Sequence, residues 1–147
     1  MMNRIDRLFQ DKPQKVLNVY CTAGYPHLDS TGEVLRSLQA HGADLIEIGM
    51  PYSDPLADGP VIQQSNMVAL DNGMSIAVLF EQLKDIRQEV HLPIILMGYM
   101  NPILQFGLEV FCEAAKQGAA VTIIGIEPAR GVHAGCTAAD QYCDSGK

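Results

Sequence analysis

The run from Leu45 to Pro60, LIEIGMPYSDPLADGP, sets one carboxylate, Glu47, inside an otherwise apolar stretch and follows it with a loop rich in proline and aspartate. Burying an isolated carboxylate is costly, so a group kept there has either bonded partners or chemical work. Strand alternation puts Leu45, Glu47 and Gly49 on one face and Ile46 and Ile48 on the other. With the isoleucines against helices, Glu47 points into the interior of a closed sheet. Desolvation disfavours the charged form of a carboxyl, which suits a group that gives and takes a proton. A carboxylate bonded to a buried Ser, Tyr or backbone N–H fits the same position, and the sequence leaves both readings open.

Asp54 and Asp58 follow on the loop at the C-terminal end of that strand, where barrel enzymes build their sites. Asp54-Pro55 and Asp58-Gly59-Pro60 also suit a tight turn and a helix start. Three carboxylates near one strand end raise Mg²⁺ as an option, but oxygen-ligand sites usually draw on more converging groups, so no metal is expected. The other strand ends supply Tyr20, Thr22, Met97, Tyr99 and Asn101, a surface suited to a flat, mostly apolar ligand or to an ordinary barrel core. His133, Cys136 and Cys143 lack a fourth ligand at typical zinc spacing.

These side chains need a scaffold, and four strand-sized apolar segments provide one: Val16–Cys21, Asp44–Ile48, Pro93–Met97 and Ala120–Ile126. Helical patterns lie between them. The first opens with Ser30-Thr31-Gly32-Glu33, read as a capping box, buries Val34, Leu35 and Leu38, and stops at Gly42. A second begins near Pro60, and a third repeats Ile76, Leu79, Phe80, Leu83 and Ile86 after Asn72-Gly73. A last helix is predicted from about Pro102 to Lys116, with Leu104, Leu108, Phe111 and Ala115 inward and Gly118 beyond it.

Strands alternating with helices, and apolar on nearly every residue, predict an α/β fold with a parallel sheet, either doubly wound and open or part of a (β/α)8 barrel. Thr22-Ala23-Gly24-Tyr25-Pro26 after the first strand is neither a G-x-G-x-x-G turn nor a Walker loop, which disfavours a dinucleotide site.

The 147 residues, 48% of them hydrophobic, suffice for a packed core. Ten Lys and Arg against seventeen Asp and Glu give a formal charge of −7, which argues against nucleic acid or an anionic membrane as partner. No apolar run approaches the ~20 residues of a membrane span, the start lacks the apolar core of a secretory signal, and the four cysteines form no C-x-x-C pair. A cytoplasmic chain with reduced thiols is expected.

The strings NVYCTAGYP (Asn18–Pro26), DLIEIGMPYSDPLADGPVIQ (Asp44–Gln63) and ILMGYMNPI (Ile95–Ile103), with NRIDRLF (Asn3–Phe9), resemble the α subunit family of tryptophan synthase. The resemblance implies a (β/α)8 TIM barrel and a lyase of tryptophan biosynthesis, cleaving indole-3-glycerol phosphate to indole and glyceraldehyde 3-phosphate by a retro-aldol reaction. By matched position it implies Glu47 as the acid/base carboxylate and Asp58 as the carboxylate that takes the indole N–H and stabilises charge on the ring. Tyr20, Met97 and Tyr99 match pocket positions around the indole. The loop Pro51, Tyr52, Ser53, Asp54, Pro55 resembles the part contacting a β subunit in an α2β2 heterotetramer. No metal or organic cofactor is implied for the α subunit, since pyridoxal phosphate belongs to its partner.

The resemblance runs to about Gly118, so residues 1–118 are read as the N-terminal half of the barrel, about four βα units, and 119–147 as a divergent fourth strand with an irregular tail. The family's strands five to eight, mobile loop and phosphate-binding turns are not found in the sequence, and a frameshift or early stop would explain the tail. Such a half-barrel is expected to associate and to turn over poorly alone. The competing expectation is a noncatalytic half-barrel that self-associates or docks on the β subunit.

Overall fold

The computed structural model describes residues 3–117 and 122–126. A short helix α1 (Arg4–Asp11) precedes strand β1 (Asn18–Thr22), helix α2 (Ser30–Ala40) and strand β2 (Leu45–Gly49). Helices α3 (Pro60–Asp71) and α4 (Ile76–Leu83) and a 3₁₀ turn (Ile86–Gln88) lead to strand β3 (Ile94–Tyr99). Helices α5 (Met100–Phe106) and α6 (Leu108–Gln117) then lead to strand β4 (Thr122–Ile126). Each strand sits one or two residues later at one or both ends than the apolar runs indicate, because the sheet register, not composition, sets where pairing starts.

The strands form one parallel sheet in the order β1-β2-β3-β4. A doubly wound sheet reverses direction about its first strand, whereas a barrel adds each strand beside the one before it. The observed order is that of a (β/α)8 barrel.

The two faces of this sheet differ. Ile46, Ile48, Ile94 and Leu96 are fully buried and pack with Leu35, Leu79, Leu83, Ile103 and Phe111 of the helices into one core. The alternate residues, among them Leu45, Glu47, Ile95, Met97 and Tyr99, lie outside that cluster on the opposite, inner face. The near-continuous apolar strands are thus explained: one set of side chains meets helices, the other faces inward.

Local chemistry sets the helix ends. Asn3 caps α1 by accepting from the Asp6 N–H at 2.9 Å, and Ser75 caps α4 by accepting from the Val78 N–H at 3.2 Å. Helix α3 starts with Pro60 in its first turn after Gly59. The capping box expected at Ser30 does not form: Asp29 holds the cap position without a side-chain bond. Instead Ser30 Oγ accepts from the His27 N–H at 3.2 Å and Thr31 Oγ1 from the Gly24 N–H at 3.0 Å. Both hydroxyls satisfy backbone donors of the loop after β1, at His27 and Gly24, that lie beyond the strand pairing.

The single helix expected over Pro102 to Lys116 is two helices. Gly107, with φ +100°, stops α5, and its carbonyl accepts from the Phe111 N–H at 2.8 Å to open α6. The break resets the helical phase, so Ile103 is buried while Leu104, expected inward, is 58% exposed. Phe80, Phe106 and Phe111 then close the junction of α4, α5 and α6, with ring centroids 5.1 to 6.3 Å apart. Among the described residues no helix is long and apolar enough to cross a membrane.

Candidate active site

Register brings the inner-face residues into rows. Tyr20 on β1, Glu47 on β2 and Ile95 on β3 share one row, and Thr22, Gly49 and Met97 share the next toward the C-terminal ends. Tyr99 stands one step further along β3. A Cβ at Gly49 would collide with the hydroxyl and ring of Tyr20, so the glycine is what lets this phenol lie across the strand.

Glu47 is half-buried between buried Leu45 and Gly49. Its Oε1 accepts a hydrogen bond from Asn18 Nδ2 at 2.8 Å. The carboxylate is therefore held at one oxygen, yet still reachable from the inner face.

The Tyr20 hydroxyl approaches Thr22 Oγ1 at 3.5 Å, and Thr22 Oγ1 lies 2.8 Å from Ser65 Oγ on α3. Ser65 donates to the Ile62 carbonyl at 2.9 Å. A carbonyl only accepts, so with all three bonds made the protons run from Tyr20 to Thr22 to Ser65 to Ile62. The Tyr20 oxygen is left with lone pairs as its free valence. Burial first of all pushes the Tyr20 phenol above its ordinary value, and the charges of Asp58, Cys21 and Glu47 add to it. Tyr20 thus lies within electrostatic reach of both candidate carboxylates.

Asp58 ends the loop before α3. The cap of that helix is Gly59, so the Asp58 side chain is not consumed in starting it. Its Oδ2 lies 3.5 Å from the Tyr99 hydroxyl, which donates to it while accepting from the Ala57 N–H at 3.0 Å. Gln63 Nε2 donates to the Asp58 carbonyl at 2.9 Å and holds the loop on α3. Tyr99 is raised above the ordinary phenol value by burial first, lowered by the Ala57 N–H, and raised again by the Asp58 charge. Both phenols therefore stay protonated through the neutral range.

The rest of the loop divides in two. The Tyr52 ring packs on Tyr99 with centroids 4.8 Å apart, and Asn101 Nδ2 lies 3.5 Å from the Tyr52 hydroxyl. Pro51 is half-buried and Pro55 buried, whereas Ser53 and Asp54 are exposed, with Ser53 Oγ donating to Asp54 Oδ2 at 2.9 Å. Asp54 is thus occupied on the surface by its neighbour, and Leu56 beside it is 81% exposed. Among the described residues no three His, Cys, Asp or Glu side chains gather as metal ligands. His133, Cys136 and Cys143 lie outside the described residues.

Sequence reasoning overlooked Asn18 and Ser65, and read Asn72 only as part of the Asn72-Gly73 break. Asn18 carried a signal, because it falls in period-two phase with Tyr20 and Thr22 on the face of Glu47. Ser65 and Asn72 carried none. Asn72 Nδ2 donates to the carbonyls of Gly24 at 2.9 Å and Pro26 at 2.8 Å, a contact made across 46 to 48 residues of sequence.

Comparison with known proteins matches this geometry to one family. A family profile described as "Tryptophan synthase alpha chain" matches residues 8–131. The tryptophan synthase alpha chain of Parabacteroides distasonis is 58% identical over 116 residues, 79% of this chain and 45% of that protein. That of Bacteroides fragilis is likewise 58% identical, over 79% of this chain and 44% of its own length. The crystal structure of tryptophan synthase subunit alpha from Legionella pneumophila superposes with a TM-score of 0.80 at 36% identity, covering 86% of this chain and 50% of that one. A tryptophan synthase structure from M. tuberculosis gives 0.79 at 26% identity, covering 86% of this chain and 51% of that one. The chain spans less than half the length of these curated relatives. Profile, relatives and superposition agree with the sequential parallel sheet, and the chain belongs to the tryptophan synthase alpha chain family.

Proposed function

We propose that this chain carries the acid/base portion of a site for retro-aldol cleavage of indole-3-glycerol phosphate to indole and glyceraldehyde 3-phosphate, a carbon–carbon lyase step of tryptophan biosynthesis. The observation that carries the reading is the placement of Glu47 on the inner face, one row below Gly49 and Met97, with Asp58 and Tyr99 paired at the strand ends.

The reaction needs a proton at C3 of the indole, which puts positive charge on the ring. The side-chain hydroxyl then loses its proton, its electrons form the aldehyde carbonyl, the C–C bond breaks, and the bonding pair returns to the ring. Glu47 is the group proposed to exchange these protons. Asp58 is proposed to accept the indole N–H and to stabilise the ring charge as it develops. Tyr20, Met97 and Tyr99 would enclose the ring. No metal or organic cofactor enters this scheme.

The partner in this reading is a pyridoxal-phosphate-bearing β subunit that takes up the indole, in an α2β2 assembly, with Pro51, Tyr52, Ser53, Asp54 and Pro55 as the contact loop. Exposure of Ser53, Asp54 and Leu56 supports that assignment. Residues 1–118 would supply the working half-barrel, 119–147 a separate segment, and the cytoplasm is the compartment that fits.

The test is indole release from indole-3-glycerol phosphate, with and without β subunit, by wild type, Glu47→Gln and Asp58→Asn. Glu47→Gln keeps the shape and removes the titrating proton, so it is expected to abolish cleavage while circular dichroism stays native. Asp58→Asn is expected to lower turnover more than solubility. Wild-type cleavage undiminished in Glu47→Gln overturns the assignment. A rise in β-subunit activity that ignores Glu47→Gln selects the noncatalytic docking module instead.

A further inference from the structure

Glu47 is held by one side-chain donor, Asn18, and that donor chooses between its two oxygens. The Asn18 amide gives a hydrogen to Oε1 at 2.8 Å. Asn18 pairs in register with Leu45, one pleat repeat nearer the N-terminal ends than Tyr20, which pairs with Glu47. The bond therefore reaches diagonally across the inner face, on the side away from Asp58 and Tyr99.

The carbonyl-type oxygen of a neutral carboxyl is a better acceptor than its hydroxyl oxygen, so the Asn18 N–H on Oε1 favours the proton on Oε2. In the ionised form the same amide still favours Oε1 as its acceptor, leaving Oε2 as the open proton site. Among the described residues no hydrogen bond ties Oε2.

We propose that Asn18 is a positioning residue for Glu47: it engages Oε1, fixes the plane of the carboxyl, and makes Oε2 the oxygen through which protons pass to and from the substrate. This rests on the reading of Glu47 as the acid/base group, but the bond itself is testable without turnover. Asn18 touches no reacting atom. Its effect is to keep the carboxyl from rotating between two equivalent oxygens, so that one oxygen is always presented.

The experiment has two arms on the 147-residue chain. In ¹H–¹⁵N spectra the Asn18 side-chain amide is expected to shift with pH in step with the ¹³C signal of the Glu47 carboxyl, and to lose that response in Glu47→Gln. An Asn18 amide that ignores both pH and Glu47→Gln overturns the proposal. In the kinetic arm, with β subunit present, Asn18→Ala is expected to lower kcat about tenfold, the scale of one hydrogen bond to a charged group, with KM within about twofold. Asn18→Asp keeps the shape but sets an acceptor against an acceptor, and is expected to fall below Asn18→Ala. A wild-type kcat in Asn18→Asp, or a loss confined to KM, also overturns it. Should the wild type release no indole, the proposed function fails, while the spectroscopic arm still decides whether Asn18 governs Glu47.

Discussion

The Tyr99 hydroxyl bridges two successive residues of the loop before α3, accepting from the Ala57 N–H at 3.0 Å and facing Asp58 Oδ2 at 3.5 Å. One oxygen at the end of β3 thus fixes the loop backbone and orients the carboxylate. The donor to Asp58 is long, so the backbone bond is the stronger of the two.

Removing that oxygen in Tyr99→Phe leaves the Ala57 N–H without its acceptor in a part-buried position. The expected loss is about 1 kcal/mol of stability, read from urea unfolding. On the proposed function indole affinity is expected to fall as well, since Asp58 is no longer aimed. Unchanged stability with unchanged affinity would show that the loop is held by Gln63 alone.

Gly49 is predicted to be intolerant for a specific reason. A methyl there runs into the Tyr20 hydroxyl and ring, and overpacking of this kind costs about 1–3 kcal/mol. Gly49→Ala should therefore be destabilised, and the cost should shrink in a Tyr20→Ala background, a coupling that a double-mutant cycle measures. An equal cost in both backgrounds would place the clash elsewhere.

Asp44 ties the start of β2 to the segment before β1. Its Oδ2 accepts from the Leu17 N–H at 2.8 Å and from Lys12 Nζ at 2.6 Å. The Leu17 bond first, then Lys12, hold the carboxyl below its ordinary value. A carboxyl lowered in the folded state stabilises that state above the unfolded value of about 3.9, and the contribution is lost as pH falls through the folded value. The melting temperature of Asp44→Asn is thus expected below wild type at pH 7, with the gap closing under about pH 4. A gap independent of pH would assign the effect to shape.

Cys21 sits on the helix side of β1, where burial pushes its thiol up to about 11. Thiolate is the reactive form, so native alkylation at pH 8 is expected about a hundredfold slower than for a free cysteine. Peptide mass spectrometry locates the label. Rapid labelling of Cys21 in the folded chain would contradict the packing described.

Much of this fold is legible in the residues because the strands obey a single constraint: Ile46, Ile48, Ile94 and Leu96 must meet helices, which phases Glu47 to the other side. The Asn72-Gly73 break was equally readable, since Gly73 takes φ +92°. The failures have separate origins. Ser30 and Glu33 match a capping pattern, but tertiary demand from the loop after β1 claims the Ser30 and Thr31 hydroxyls first. Leu104 matched a helical stripe that Gly107 interrupts, and a glycine's use of positive φ is not visible in a period count. Helix α1 was not read as an element although Ile5, Leu8 and Phe9 recur at helical spacing; none of its residues is buried. For the site, Glu47 and Asp58 stood out by residue type, whereas Asn18 and Ser65 matter only through partners far along the chain.

The strand order β1-β2-β3-β4 has a consequence for how the chain is made. Each strand pairs with the one synthesised just before it, so a new strand emerging from the ribosome finds its template already formed and needs no later segment to be threaded beside it. Each closure spans a single helical connection, the longest from Gly49 to Ile94, and the sheet can grow in the order of translation. In that sequence of events Glu47 acquires its Asn18 partner at the first pairing, before β3 and the Tyr99 that aims Asp58 have left the tunnel.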